Sequence, residues 1–144
     1  MTLTMDTTGD NAVVPATGAG TDGGTVATNV AGTADTLAFN VTAVGTANTA
    51  AATLASNASA VSLATTGYET IAVTSAGTAA NLVNLSTAVG AATITASGTA
   101  LTIADVAAAT TSIDGSAMTG ALNLTTSSAG TGALTKIQGG AGDD

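Results

Sequence analysis

The sequence predicts an all-β protein: a parallel β-helix or β-solenoid of short strands, with little or no helix. Short runs rich in Val, Ile, Leu and Thr recur through residues 69–137. Their central apolar residues Ile94, Ile103, Ile113, Leu122 and Leu134 advance by nine to twelve residues each. That step is too short for a βαβ crossover, and the punctuation lacks the regular series of Asn-Gly or Asp-Gly turns that successive hairpins need. Ala, Thr and Gly dominate the 144 residues. Such small side chains suit the narrow interior and corners of coils stacked about 4.8 Å apart. If each step is one side of a coil, a turn takes roughly 18 to 30 residues, within the range of repeat architectures.

The elements follow in order. Residues 1–28 place Gly18, Gly20, Gly23 and Gly24 among Asp6, Asp10 and Asp22, which reads as turns between short strands at 2–5 and 12–14. Residues 35–44 form the strongest strand of the first half, with Leu37, Phe39 and Val41 on one side. The second half carries strands at 69–74, 81–85, 92–96, 100–104, 111–113, 121–125 and 133–137. Ile71 and Val73 alternate there with Thr70, Ala72 and Thr74. Ala-rich stretches at 49–55 and 104–109 are the places where a turn or two of helix competes. Long helices are disfavoured, because β-branched residues are scattered throughout and too few charges exist for ion-pair ladders. Phe39 and Tyr68, the only aromatics, are expected to fill wider parts of the interior or to cap a coil end. Residues 1–67 read as an irregular Gly/Asp/Thr-rich segment, 68–138 as more regular rungs, and 139–144 as the start of a calcium repeat, all in one continuous domain.

Composition narrows the function. There is no Cys, His, Arg or Trp, so no soft metal site, imidazole base or thiol nucleophile can be built, and an enzyme is not expected. The formal net charge is −8, with Lys136 the only basic side chain. Nucleic acid needs several cations for its phosphates, and anionic membrane surfaces would repel this chain. Disorder fits poorly with 45% hydrophobic residues, a mean hydropathy of +0.48 and one proline. Gly has no three-residue period, which excludes collagen. The most apolar region, 50–64, is interrupted by Ser, Thr and Asn and is shorter than the roughly 20 residues of a membrane span. Residues 1–6 lack a basic and an apolar signal region. The expectation is either a mature or truncated fragment, or export by a signal outside this chain. The absence of Cys suits an extracellular bacterial protein that uses no disulfides.

Calcium is the chemistry the residues do support. Gly139-Gly140-Ala141-Gly142-Asp143-Asp144 matches the first six positions of the nonapeptide GGxGxDxUx. Glycines allow turns that expose carbonyls, and Asp144 stands at the ligand position with a hard carboxylate oxygen. Asp143 and Asp144, with carbonyls of Gly139, Gly140 and Gly142, are the first candidates for metal binding. Asp114 and Asp105 follow apolar strand residues and could end their rungs at neighbouring corners, either sharing a cation or capping local turns. Asp35 and Glu69 are weaker candidates, and Asp6, Asp10 and Asp22 could form a second acidic loop.

Three stretches resemble rungs of bacterial surface-layer proteins of the RTX class. Residues 68–77, YETIAVTSAG, look like their x-E-T-I/L-x-V-T-S-x-G rung. Residues 111–124, TSIDGSAMTGALNL, are similar to I/V-D-A-S-x-x-T-G-A-L-x-V, with Gly115 where Ala is usual. Residues 137–144, IQGGAGDD, resemble the rung that leads into the calcium repeats. The stretches occur in the family's order and lie within residues 68–144, about half the chain. The resemblance implies a right-handed parallel β-solenoid, calcium-dependent self-assembly into a lattice at the bacterial cell surface, and type I secretion. The expected partners are other copies of the chain, with cell-surface polysaccharide engaged through parts outside it and no direct membrane insertion. The alternatives are an extender or stalk segment of a large RTX adhesin, and an ice- or carbohydrate-binding solenoid prompted by Thr-x-Thr at 2–4 and 93–95.

Overall fold

The structure, a computed structural model, describes residues 2–5, 11–14, 24–28, 34–42, 61–78, 80–125 and 134–144. Among these the chain is all-β, and no helix occurs. One sheet is built from β1 (Thr2–Met5), β4 (Thr36–Thr42), β6 (Thr70–Ala76), β9 (Thr93–Gly98), β11 (Ser112–Met118) and β13 (Lys136–Gln138), in that spatial order. The other runs β12 (Leu122–Leu124), β10 (Leu101–Val106), β7 (Asn81–Leu85), β5 (Val61–Thr66), β3 (Gly24–Thr28), β2 (Asn11–Val14), with β8 (Ala88–Val89) pairing β5 off this path. From β9 onward successive strands alternate between the two sheets, and strands adjacent within a sheet are parallel.

The reason is visible in the register. Leu37, Ile71, Ile94, Ile113 and Ile137 lie side by side across five strands. From Ile94 to Ile113, and again from Ile113 to Ile137, the chain passes through the second sheet and returns to the same point of the first. Val61, Val83, Ile103 and Leu124 form the matching row of the second sheet. Period-two alternation turns Leu37, Ile71, Ile94, Ile113, Val83 and Ile103 of these rows inward, and β6 alternates half-buried or exposed residues with buried Ile71, Val73 and Ser75. Each fully buried Ile or Leu contributes about 1.5 to 3 kcal/mol. Phe39 and Tyr68 are both in the core, as their size predicts.

Corners continue the pairing. Ala92 N donates to Glu69 O at 2.9 Å, Thr111 N to Ala92 O at 2.8 Å and Thr135 N to Thr111 O at 2.8 Å, one ladder running along one corner. At an opposite corner Asn81 is fully buried, and its Nδ2 donates to Ser75 Oγ at 2.8 Å and Ala76 O at 2.9 Å. Ser75 Oγ in turn donates to Ala100 O at 2.8 Å, which ties successive rungs together. A buried amide needs such partners, because leaving its polar atoms unmet costs about 1 to 3 kcal/mol.

Several expectations are corrected. The pairing is not parallel throughout: β1 lies antiparallel on β4 and β2 antiparallel on β3. These strands lie at one edge of each sheet, where a strand has one neighbour and can run either way. Strand β3 falls where turns were expected. Its Thr-Val-Ala-Thr run is short and weakly apolar, and pairing with β2 and β5 supplies what local pattern does not. Strand β5 was hidden in the same manner by Ala, Ser and Thr. Helix does not form at 104–109. There β10 continues to Val106 and a tight turn follows, closed by Thr110 N donating to Ala107 O at 3.0 Å. The second Ala-rich stretch, 49–55, lies outside the described residues, as do Asp6, Asp10 and Asp22. Every residue of β7 is buried, so that strand is covered on both faces rather than one.

Candidate metal centre

The glycine turn at 139–142 sits directly on the corner formed by residues 115–121. Ala141 N donates to Met118 O at 3.1 Å. A Cβ at Gly140 would meet the Met118 carbonyl oxygen at 2.6 Å and the Gly115 carbonyl oxygen at 2.8 Å, so only glycine permits this approach. At Gly139 the space of the missing Cβ is taken by the Asp144 carboxylate. Asp144 Oδ1 accepts from Leu122 N at 2.8 Å, and both Asp143 and Asp144 are exposed. Beside them is an apolar slot of about 430 Å³ lined by Leu122, Leu124, Leu134, Ile137, Gly139 and Asp144.

These residues offer hard oxygens of the kind calcium takes, from two carboxylates on a glycine turn with the Asp144 carboxylate lying against Gly139. Calcium takes six to eight oxygens, more than these residues offer by themselves. Among the described residues no group of three His, Cys, Asp or Glu side chains comes together.

Asp114 and Asp105 do not end their rungs at neighbouring corners. Asp114 lies within β11, in the first sheet, and Asp105 within β10, in the second. Each satisfies a local backbone group. Asp114 Oδ1 accepts from Ser116 N at 3.0 Å, and Asp105 Oδ1 accepts from Val106 N at 2.9 Å inside the protein. The register shifts in both strands close to these residues, between Asp114 and Ala117 and between Ile103 and Val106. Such irregularities re-aim side chains and free donors for carboxylates. The hydroxyl and the backbone N–H of Ser116 hold the Asp114 carboxyl below its ordinary range, with a smaller pull from Lys136.

Asp35 and Glu69 are brought together. Asp35 N donates to Glu69 Oε2 at 2.8 Å, while Asp35 O accepts from the backbone N–H groups of Glu69 and Thr70. Asp35 Oδ2 is buried with no hydrogen-bond partner. Sequence reading missed the Leu122 amide as the partner of Asp144. The only signal was that the two lie about one circuit of the two sheets apart along the chain.

Comparison of the chain with protein-family models, with curated proteins and with solved structures finds no match. Geometry alone therefore defines the class: an all-β protein whose two mainly parallel sheets exchange successive strands.

Proposed function

We propose that the chain is a calcium-stabilised, self-assembling structural protein of a bacterial surface layer or sheath, built as a parallel β-solenoid. Its right hand is what the surface-layer resemblance implies. The solenoid reading is supported by Gly98, Gly120 and Gly142, which recur at even spacing. At each a Cβ would run into backbone near Ser75, Ala100 and Ala121 respectively, a segment about 20 residues earlier in the chain in every case. The observation that carries the function is the position of the Gly139–Asp144 turn beside the outer strands β12 and β13. There an ion held by Asp143 and Asp144 neutralises charge on a chain of −8 where neighbours would add. Unpaired strand edges are met either by association with other copies or by continuation into a further segment. Catalysis has no place in this reading, and secretion to the cell surface by the type I route follows from the same resemblance.

The test is light scattering with electron microscopy of the purified chain in calcium and in excess chelator. Ordered sheets or filaments only in calcium are expected; assembly unchanged by chelation would defeat the proposal. A monodisperse particle in both conditions would favour the stalk segment of a large adhesin. A further reading rests on Thr36, Thr70, Thr93 and Ser112, which lie in register on non-core positions of the first sheet beside a second row of Ala72 and Thr95. Such a hydroxyl-bearing face would suit ice or carbohydrate, and thermal hysteresis of the solution would separate ice binding from the other two.

A further inference from the structure

Asp114 and Gly115 form an Asp-Gly pair inside β11, and the packing explains the glycine. Gly115 is buried, and a Cβ there would meet Leu122 Cδ2 at 2.5 Å and the Gln138 carbonyl oxygen at 3.0 Å, on β12 and β13. The fold therefore favours, directly after a carboxylate, the residue whose amide nitrogen is least hindered. Such a pair carries its own chemistry. The Gly115 nitrogen attacks Asp114 Cγ, the N–Cγ bond forms, a Cγ–O bond breaks, and that oxygen leaves as water with the amide proton and the carboxyl proton. Water then opens the five-membered succinimide. Cleavage at N–Cγ restores aspartate; cleavage between the nitrogen and the main-chain carbonyl carbon leaves isoaspartate, with Cβ now part of the backbone. Water leaves once and enters once, so no other reactant is needed.

We propose that Asp114–Gly115 is a self-modification site: the folded rung holds it closed through Ser116, and opening of β11 lets it convert to isoaspartate. Ring closure needs the carboxyl group to turn onto the face of the Asp114–Gly115 peptide. Two sets of contacts oppose that turn. Asp114 lies in register between Thr95 and Gln138, so strands on both sides hold its backbone. Asp114 Oδ1 accepts from Ser116 N at 3.0 Å, beyond the attacking nitrogen, and the Ser116 hydroxyl also bonds this carboxyl. The second set matters more, because β11 shifts register against β9 between Asp114 and Ala117. Ser116 thereby also favours the ionised carboxylate, which is a poor electrophile. Conversion adds an atom to the main chain at a position with no room for a Cβ, so a converted rung does not close again as before.

The experiment is peptide mapping with electron-transfer fragmentation, which distinguishes isoaspartate from aspartate, on the full chain aged at neutral pH in buffer and in urea above its unfolding transition. Asp22–Gly23, the other Asp-Gly pair of the sequence, calibrates the reaction in urea. Asp114 should convert about 10-fold or more slowly in the folded chain than in urea, the factor expected of a charge-assisted hydrogen bond. Ser116→Ala, normalised to its own rate in urea, should convert several-fold faster than the unaltered chain when folded, and Ser116→Thr, which keeps the hydroxyl, should restore the slow rate. Unchanged amide exchange at Ile94, in the middle of the first sheet, separates a local effect from unfolding. Equal rates in buffer and in urea would overturn protection by the fold. Folded Ser116→Ala as slow as the unaltered chain, or Ser116→Thr as fast as Ser116→Ala, would overturn the role of Ser116.

Discussion

Asn81 Nδ2 donates to Ser75 Oγ at 2.8 Å in the interior of the protein, joining the end of β6 to the start of β7 across one corner. Because Ser75 also donates to Ala100 O, the pair connects one rung to the next. Asn81→Ala is expected to destabilise the fold by about 1 to 3 kcal/mol, since Ser75 and the Ala76 carbonyl lose a buried donor. Ser97→Ala, which removes only an outward-facing hydroxyl contact to Thr74 at 3.3 Å, should change stability by less than about 0.5 kcal/mol. Urea unfolding of both variants measures the difference, and equal losses would contradict a structural role for the corner amide.

Gly98 and Gly90 offer a second comparison. Both have positive φ, +92° and +93°. A Cβ at Gly98 would collide with the Ser75 carbonyl, whereas at Gly90 the nearest heavy atoms are 3.9 Å away. Gly90→Ala should therefore lose only the backbone preference, about 1 kcal/mol. Gly98→Ala should lose about 2 to 4 kcal/mol, because rigid backbone has to move as well. Thermal melts that rank the two in the opposite order would show that residue 98 does not lie this close to the Ser75 backbone.

The row Ile94, Ile113 and Ile137 tests which part of the stack is core. Ile94 and Ile113 are buried, whereas Ile137 is 59% exposed. Truncating Ile94 or Ile113 to Ala should destabilise by about 2 to 5 kcal/mol, and Ile137→Ala by less than about 1 kcal/mol in the monomer. In the proposed calcium-dependent assembly, a further strand would cover Ile137. There Ile137→Ala should weaken association, as followed by light scattering.

Asp114 makes a pH prediction. Its carboxyl is held below the ordinary value of 3.8 by Ser116. A carboxyl whose folded value is depressed stabilises above its unfolded value and loses that contribution as pH falls through the folded value. The contribution should thus be constant from neutral pH down to about 4 and fade below it. An NMR titration of the Asp114 carboxyl should give a midpoint under 3.8, moving toward 3.8 in Ser116→Ala. A midpoint at or above 3.8 in the unaltered chain would rule out the Ser116 turn as its cause.

Much of the strand pattern was legible. Residues 81–85 were expected as a strand and form β7 with those bounds, and β6, β9, β10 and β12 lie within two residues of expectation. Ile71 and Val73 were expected to share a face, and both are core. Strands β3 and β5 were not legible, because Ala, Thr and Gly carry little alternation and these segments depend on their neighbours. The candidate site was legible as a motif but not as a geometry. Gly139, Asp143 and Asp144 announce a turn with carboxylates, while nothing local links Asp144 to Leu122. Asp105 and Asp114 looked alike in sequence, each after an apolar residue. Opposite sheets and different burial separate them.

By itself the sequence determined that this protein is all-β and made of short strands, because the side-chain period of two, the strand-forming residues and the glycine punctuation are properties of a few adjacent residues. It also determined the available chemistry: oxygen donors, a single cation and no imidazole or thiol. Tertiary structure alone decided that β1 and β2 run antiparallel, that β7 is covered on both faces, and that the Asp144 carboxylate accepts from Leu122 N. Those outcomes depend on which segments meet after the chain has passed through one sheet and come back to the other. Local periodicity carries no information about that return.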